Sequence, residues 1–363
     1  MCYFATFMSP RTQRLWTVVA LVAVLIAGLA GGWYARGAST SPSGSSALTL
    51  WVGAAGTLAP ILPGLGATFA QETPGVQAPA AAQTFEGSIA LLKSIGALQV
   101  RYDVAAVADY RLIPELLEPH GAAWELVFAS DPMVLVYNPS VAAFAGLNST
   151  NWAGRLEAPG VLLGVANASI DPLGYAEIFA QELAGANGSG VAMGSGLYAH
   201  FYRGAPGGFA TPNPATTRIA PEADAAALIR TGAVSAFLIY RSYALASNLS
   251  YVALPWTVDL GSTNQTALAR YATAATQIEG ATGLQRVTGS PILFAVTVPA
   301  SAPDSALGQL FVAYLLSPTT RTVLVSAGFT PIFPAWADHP SALPSALGAL
   351  AEPLPPLLAA GIG

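Results

Sequence analysis

Apolar residues along this chain form two kinds of segment, short continuous runs and longer stretches with helical spacing. The continuous runs ALTLWVGA (47–54) and YDVAAVAD (102–109) predict buried strands. GSIALLKSIGAL (87–98), which lies between them, has the spacing of a helix with one apolar face. Strands that alternate with helices are typical of a parallel, doubly wound sheet. The pattern therefore predicts an α/β fold for this part of the chain.

A second series of strands and helices follows. It begins at VLLGVA (161–166) and includes AVSAFLIY (233–240), while two long extended runs, WELVFASDPMVLVYNP (124–139) and SPILFAVTVP (290–299), flank it. Two α/β series joined by two extended crossings predict two lobes with a cleft between them. Because open α/β sheets bind ligands at the carboxyl ends of their strands, we expect both lobes to direct such loops at the cleft.

The N-terminal region holds the longest unbroken apolar stretch, at residues 15–35. It has the roughly 20 apolar residues that a membrane-spanning helix needs. Arg11 and Arg14 precede it, so the positive-inside rule places residues 1–14 in the cytoplasm. A cleaved signal peptide is the alternative, although this run is longer than the apolar core of a typical one. In either case we expect the rest of the protein outside the cell membrane, anchored by this helix or secreted after cleavage.

These patterns predict the order of segments along the chain. They are a cytoplasmic segment (1–14), an anchor or signal segment (15–35), a flexible stalk (36–47), lobe I (48–138 with 290–338), lobe II (139–289) and a tail rich in Pro, Leu and Ala (339–363). N-x-[ST] sequons support an extracellular location and begin at Asn148, Asn167, Asn187, Asn248 and Asn264. The only cysteine is Cys2, so no disulfide can form within the chain.

Charge is scarce in this sequence and narrows the possible functions. Asp, Glu, Lys and Arg make up 9% of the residues, against about a quarter in ordinary soluble domains. Lys93 is the only lysine, and the absence of a basic patch argues against nucleic-acid binding. The histidines, His120, His200 and His339, fall in no pattern typical of a catalytic triad or a metal site. We therefore expect a monomer without enzymatic activity or a cofactor.

Small hydroxyl residues occur where two of the predicted strands give way to helices. Gly56 and Thr57 follow the first strand, and Gly87 and Ser88 open the next helix. Free N–H groups at a helix N-terminus bind oxyanions without a formal positive charge, and glycine lets the backbone come close to a ligand. These pairs are candidate anion contacts. The alternative is that both hydroxyl residues are ordinary N-caps.

The segment NASIDPLGY (167–175) places a carboxylate in this charge-poor chain. Asp171 and Pro172 precede YAEIFAQEL, which is typical of an N-cap followed by proline in the first helical position. A carboxylate beside an anion pocket would be repulsive unless it contacts a metal centre or donates a proton. The spacing favours capping, and a ligand role is the alternative.

Several motifs occur in a fixed order along the chain. They are ADYRLIPELL (108–117), WELVFASDPMVLVYNP (124–139), NWAGRL (151–156), NASIDPLGY (167–175), FLIYRS (237–242), VTGSPILFAVTVP (287–299) and LLSP (315–318). That order resembles the archaeal-type tungstate/molybdate-binding proteins of ABC transporters over roughly residues 48–335. The resemblance implies a type II periplasmic-binding-protein-like fold that closes on molybdate or tungstate and delivers it to a membrane permease and its ATPase.

The resemblance also implies roles for the two glycine–hydroxyl pairs. The family offers a Gly-Ser pair to the oxyanion after the first strand, and Gly56 with Thr57 stands there in this chain. A second Gly-Ser pair is retained as Gly87 and Ser88. We therefore expect all four residues to contact the oxyanion.

The family's Asp-Pro-x-Gly motif stands here as Asp171, Pro172, Leu173 and Gly174. In relatives the aspartate reaches the metal of the bound oxyanion, and the following backbone helps to hold the oxygens. The resemblance therefore implies a contact from Asp171 to molybdenum or tungsten and contacts from Pro172 and Leu173 to the oxygens.

One position departs from the family pattern. Octahedral-type members carry a second carboxylate immediately before the tyrosine of an E-Y-[KR]-S run, and here Ile239 precedes Tyr240. We expect both residues to border the oxyanion. The loss of the carboxylate favours a four-coordinate oxyanion held by hydrogen bonds alone, with sulfate or phosphate as alternative ligands. A surface sensor that does not transport is the alternative from a different class.

Overall fold

A computed structural model describes residues 47–185, 195–280 and 282–360. Within these ranges, every helix is too short or too polar to cross a bilayer. The predicted anchor at residues 15–35 lies outside the described residues, as does nearly all of the predicted stalk.

The described strands are short, and most are apolar. In chain order they are β1 (Leu48–Thr49), β2 (Val52–Ala55), β3 (Val76–Gln77), β4 (Gln83–Glu86), β5 (Val104–Val107), β6 (Leu126–Ser130), β7 (Met133–Tyr137), β8 (Leu163–Val165), β9 (Tyr202–Arg203), β10 (Thr211–Pro212), β11 (Thr217–Ile219), β12 (Ala236–Tyr240), β13 (Tyr251–Ala253), β14 (Ala275–Gly280), β15 (Gly283–Thr288), β16 (Leu293–Thr297), β17 (Thr330–Ala337) and β18 (Ala351–Pro353).

The helices lie between these strands. In chain order they are α1 (Leu62–Glu72), α2 (Ser88–Gly96), α3 (Leu112–Leu116), α4 (Trp152–Leu156), α5 (Pro172–Ala184), α6 (Ser195–Phe201), α7 (Ala225–Arg230), α8 (Arg241–Ala246), α9 (Gln265–Tyr271), α10 (Ser305–Leu315), α11 (Pro318–Ser326), α12 (Ser345–Gly348) and α13 (Pro356–Ala359). Several begin at a side-chain cap, where Asp171, Asn264, Asp304 or Ser317 accepts a hydrogen bond from a first-turn amide.

The first lobe is built on a seven-stranded sheet in the order β18-β17-β6-β16-β5-β2-β4. Strands β4, β2 and β5 run parallel, and β16 runs antiparallel between β5 and β6. The residues of β2, β5, β6 and β16 are all buried, as expected for strands covered by helices on both faces. The continuous apolar runs therefore predicted these strands correctly.

The second lobe is built on a five-stranded sheet in the order β11-β8-β12-β7-β13. Strands β11, β8 and β12 are parallel, while β7 is antiparallel to both of its neighbours, β12 and β13. The two lobes give the α/β two-domain fold that the chain predicts. Each sheet contains antiparallel strands beside its parallel core.

The boundary between the lobes differs from the expected one. Residues 133–138 were expected in lobe I, but β7 (Met133–Tyr137) belongs to the second sheet. The chain crosses at Asp131–Pro132, beside the returning crossing, where the Asp131 amide donates to the Ile292 carbonyl at 3.3 Å. The run 124–139 contains two buried strands of similar composition, so only its polar break marks the crossing.

The C-terminal segment is part of the first lobe and not a separate tail. Strand β18 pairs parallel with β17 and forms the edge of the seven-stranded sheet. The Tyr110 hydroxyl donates a hydrogen bond to the Leu358 carbonyl at 3.1 Å. The prediction of a separate tail at 339–363 is therefore wrong for residues 339–360. Leu347, Leu350 and Leu354 are buried against the lobe.

Candidate functional site

The two lobes meet at loops that follow parallel strands of both sheets. On the first lobe, Gly56 follows β2 and Gly87 follows β4, while on the second lobe Tyr240 ends β12. Asp171 lies in the connection that follows β8, and Glu222 in the one that follows β11. These are carboxyl ends of strands, the place where open α/β sheets present ligand-binding groups.

Thr57 contributes a buried hydroxyl from the first lobe. It lies in a single 3-10 turn, Gly56–Leu58, directly after β2, and is 1% exposed. Its Oγ1 donates to the Glu222 carboxyl of the second lobe, with distances of 2.9 and 3.0 Å to the two oxygens. The N-cap of this turn is Ala55, without a side-chain hydrogen bond. The interpretation of Thr57 as an N-cap is therefore wrong. The Thr57 hydroxyl is directed across the cleft.

Gly87 and Ser88 lie at the start of α2 and contact the other lobe. Gly87 is the N-cap, and a Cβ at this position would lie 2.5 Å from the Ile170 carbonyl oxygen. Only glycine allows that close approach. The amide of Ala90 donates to the same Ile170 carbonyl at 3.3 Å. An amide of the first turn of α2 is thus directed at the second lobe.

Ser88 is buried and does not act as a cap. Its Oγ accepts a hydrogen bond from the amide of Ala108, which follows β5, at 3.0 Å. Because that bond uses only a lone pair, the hydroxyl proton of Ser88 remains able to donate. The capping alternative for Ser88 is therefore wrong, because the N-cap of α2 is the preceding residue, Gly87.

Asp171 is the N-cap of α5, as its Asp-Pro sequence predicts. Its Oδ1 accepts from the amide of Leu173 at 3.0 Å, and Pro172 occupies the first helical position. Burial raises the pKa of Asp171 to about 6 and outweighs the opposing effect of the Leu173 amide. The predicted capping role is confirmed, and the contact to a bound metal centre stays a prediction.

Glu222 is the residue of this site that sequence reasoning missed. It begins a short 3-10 helix, Glu222–Asp224, after β11, and its side chain is buried between the lobes. Burial raises the pKa of Glu222 well above its usual range, and the negative charges of Asp171 and Asp131 raise it further, while the Thr57 hydrogen bond acts in the opposite direction. The sequence feature that could have identified Glu222 is an acidic residue shortly after a strand, in a chain with few acidic residues.

Ile239 and Tyr240 occupy adjacent positions at the end of β12 but offer different chemistry. Ile239 is fully buried and apolar, so it provides no ligand atom. Tyr240 is 1% exposed, and within the described ranges its hydroxyl finds no hydrogen-bond partner. Burial raises its pKa well above the usual range, helped by the charges of Asp171 and Glu222. The phenol therefore keeps its proton and can donate it to a ligand oxygen.

A separate group of charges connects the lobes near the two crossings. Asp109 of the first lobe accepts from Arg111 at 2.6 Å and from the Tyr175 hydroxyl of the second lobe at 2.7 Å. Arg111 also donates to the Thr288 carbonyl at 2.8 Å. A cavity of about 10 Å³ beside this group is lined by residues that include Pro172 and Tyr240. That volume is close to the minimum for a single water molecule.

The described structure therefore has its lobes in contact, with the Glu222 carboxyl placed against the hydroxyl of Thr57. A carboxyl oxygen on Thr57 has the chemistry of one oxygen of an oxyanion. Around it the first lobe offers neutral donors, and the second lobe offers two carboxyl groups and a phenol. This arrangement can bind an oxyanion whose central atom accepts carboxylate oxygen, or whose oxygens accept a proton from a carboxyl group.

The sequence of this chain is similar to those of solute-binding proteins. A family model described as bacterial extracellular solute-binding protein matches residues 50–330. A solute-binding protein of Methanoculleus marisnigri is 32% identical over 272 residues, which are 71% of this chain and 76% of that protein. A molybdate/tungstate-binding protein of Thermococcus kodakarensis is 27% identical over 250 residues, 66% of this chain and 69% of that protein.

Solved structures show the same architecture. The periplasmic molybdate-binding protein of Azotobacter vinelandii matches with a TM-score of 0.55 and 16% identity, over 77% of this chain and 98% of that chain. At that identity the match establishes a common fold.

Proposed function

This chain belongs to the bacterial extracellular solute-binding protein family, and we propose that it captures molybdate or tungstate between its lobes for delivery to an ABC permease and its ATPase. The similarity to molybdate/tungstate-binding proteins of Thermococcus kodakarensis and Pyrococcus abyssi supports this choice of ligand. The observation that carries the proposal is the Glu222 carboxyl, which contacts the neutral donor Thr57 across the cleft and lies near enough to Asp171 for that charge to raise its pKa.

The neutral donors would hold the oxygens of the dianion. Thr57, Ser88 and Tyr240 each have a hydroxyl that can donate, and the Ala90 amide in the first turn of α2 is directed at the second lobe. A buried hydroxyl without a partner, such as that of Tyr240, carries a desolvation cost that a ligand oxygen would remove. Charge compensation would thus come from dipoles, as in other helix N-terminal anion sites.

The carboxyl groups would select the central atom. Molybdenum(VI) and tungsten(VI) can accept further oxygen ligands, whereas sulfur in sulfate and phosphorus in phosphate cannot. Asp171 and Glu222 would therefore repel sulfate when ionised but could bond directly to molybdenum or tungsten. Glu222 would supply the second carboxylate that Ile239 does not provide.

Ligand entry requires that the contacts between the lobes break and re-form. The oxyanion would replace the Glu222 oxygen on the hydroxyl of Thr57. Opening would occur about the paired crossings at Asp131 and Ile292, a hinge-type closure.

The cellular setting completes the proposal. The apolar segment at 15–35 would anchor the lobes to the outer face of the membrane, close to the permease. The asparagines of the described sequons, Asn148, Asn167, Asn248 and Asn264, are all exposed, which is compatible with glycosylation.

Isothermal titration calorimetry on the full-length protein in mild detergent tests the function. We expect molybdate or tungstate to bind with low-micromolar or tighter affinity at pH 7.5. The absence of heat with both oxyanions would refute the proposal.

The same titration with sulfate and phosphate tests the alternative ligands. If the carboxyl groups coordinate the central atom, Glu222→Gln weakens molybdate and tungstate binding and does not weaken sulfate binding. Sulfate binding that matches or exceeds molybdate binding in the wild type would favour the alternative.

A further inference from the structure

Three side chains of types that can bind a metal ion lie together at the end of the first sheet that is remote from the cleft. Along β17, Thr330 pairs with Ser130 at the crossing, whereas Ala337 pairs with Leu126 at the other end of β6. Asp338 and His339 directly follow that remote end. They meet Glu118, which lies just beyond α3, and we refer to Glu118, Asp338 and His339 as the remote cluster.

The ligand atoms of the remote cluster all lie within 4.8 Å of one another. His339 Nε2 is 3.1 Å from Glu118 Oε2 and 3.8 Å from Asp338 Oδ2. Two nitrogen or oxygen ligands of one tetrahedral zinc ion lie about 3.3 Å apart, given metal–ligand bonds of about 2.0 Å. The observed separations are close to that value.

The two carboxyl groups are buried, and each has an oxygen without a hydrogen-bond partner. The side chain of Asp338 is 5% exposed and that of Glu118 is 10% exposed. Asp338 Oδ1 accepts from the amides of Glu125 and His339, both at 2.7 Å, which fixes the orientation of the carboxylate. Asp338 Oδ2 has no hydrogen-bond partner within the described ranges and is the oxygen that faces His339.

The surroundings of the remote cluster hold an excess of acid. Burial and the neighbouring Asp338 together raise the pKa of Glu118 to about 7, while His339 acts in the opposite direction. Glu125 is fully buried, and both of its carboxyl oxygens lack a partner among the described residues. The ion pairs that the described residues offer to Glu118 and Asp338 both come from His339.

We propose that the remote cluster is a binding site for a divalent cation of the zinc class, with one imidazole nitrogen and two carboxylate oxygens as ligands. This donor set suits zinc and similar first-row ions. His339 is 58% exposed, so water can occupy the remaining coordination position. The ion would fix the start of the C-terminal segment, which supplies β18 to the sheet edge and Leu358 as the acceptor for Tyr110.

Zinc titration of the full-length, untagged, chelator-treated protein in mild detergent tests this site, without any oxyanion present. At pH 7.5 we expect one zinc ion per chain with micromolar or tighter affinity by calorimetry, and a higher melting temperature in excess zinc, because zinc binds the native state. His339→Ala and Glu118→Gln should each weaken zinc binding at least tenfold and remove the thermal shift.

Two control variants separate this site from adventitious binding. His120→Ala removes a neighbouring exposed imidazole, and Glu352→Gln removes an exposed carboxylate on β18 in the same segment. Both should bind zinc like the wild type. No saturable binding below 1 mM zinc, or equal binding by the wild type and both cluster variants, would overturn the proposal and leave only an ion pair at His339.

Discussion

Two buried carboxyl groups, Asp109 and Glu222, each form a hydrogen bond between the lobes, and their surroundings are opposite. Asp109 accepts from Arg111 and from the hydroxyl of Tyr175. Burial alone would raise its pKa, but the charge and hydrogen bonds of Arg111 outweigh burial and lower it. Asp109 is therefore ionised and fully paired in the native state.

No described residue forms an ion pair with Glu222. Burial raises its pKa well above the usual range, Asp171 and Asp131 add to that shift, and its hydrogen-bond donor is the neutral Thr57. A carboxyl group in this setting costs more free energy to ionise than an exposed one.

The presence or absence of a paired cation distinguishes a carboxyl group that stabilises the fold from one that can bind a ligand. Removal of one partner from a buried ion pair leaves an unpaired buried charge, which lowers the free energy of unfolding. A buried carboxyl without a cation gains when a metal centre or a ligand arrives. We expect changes near Asp109 to affect folding, and changes near Glu222 to affect binding.

The largest effect is expected at the paired carboxylate. Arg111→Met leaves Asp109 buried and ionised without its cation, and should lower the free energy of unfolding by about 3–5 kcal/mol. Urea denaturation measures this change. Arg218→Met, at an exposed position of β11, is the matched control and should stay within about 0.5 kcal/mol of the wild type.

A double variant sharpens this expectation. Adding Asp109→Asn to Arg111→Met removes the unpaired charge and should recover most of the lost stability. If Arg111→Met alone costs less than about 1 kcal/mol, the pair is not the compensated unit described here.

A smaller loss of stability is expected at Thr57. Thr57→Val keeps the shape of the side chain but removes the donor to the Glu222 carboxyl, and should cost about 2 kcal/mol in the ligand-free protein. Thr57→Ser retains the hydroxyl and should restore most of that stability and the oxyanion affinity. Equal behaviour of Val and Ser would contradict a role for this hydroxyl.

Glu222→Gln should separate binding from folding. The amide stays neutral at every pH, so stability at pH 7.5 should be equal to or above that of the wild type. Affinity for molybdate or tungstate should fall at least tenfold, about 1.4 kcal/mol, by calorimetry. Asp224→Asn, two residues away and exposed, should leave both quantities unchanged. A variant that loses stability but keeps affinity would invert the comparison with Asp109.

A pH-dependent effect on stability is expected through Asp171. Its native pKa of about 6 exceeds the value of about 4 in an unfolded chain, so the native state holds the proton more tightly. This contribution is fully present below about pH 4 and is lost as the pH rises to about 6. Urea denaturation from pH 4 to 7.5 should show a slope that Asp171→Asn reduces.

The choice of substitution separates charge from capping at this position. Asparagine is also a good N-cap, so Asp171→Asn should keep the bond to the Leu173 amide, whereas Asp171→Ala should be about 1 kcal/mol less stable than Asp171→Asn at every pH. If the difference in the free energy of unfolding between the wild type and Asp171→Asn does not change with pH, the raised pKa of Asp171 is refuted.

Local patterns predicted the elements well but predicted their partners poorly. The cap at Asp171 and helix α2 follow from short-range signals, Asp-Pro and apolar spacing, which depend on a few neighbouring residues. The strand Met133–Tyr137 was recognised as a strand but placed in the wrong lobe, because its apolar residues suit either sheet. The cap positions at Thr57 and Ser88 were wrong by one or two residues, since helix ends depend on the exact backbone path.

The sequence by itself determined the alternation of strands and helices, the extended crossings and the scarcity of charged residues, because these depend on composition and short-range spacing. Only the tertiary structure decided which side chains meet. Thr57 and Glu222 are 165 residues apart in the chain, and Asp109 and Tyr175 are 66 apart. A buried carboxyl is paired or unpaired according to the neighbours that folding brings to it, and no local pattern encodes those neighbours.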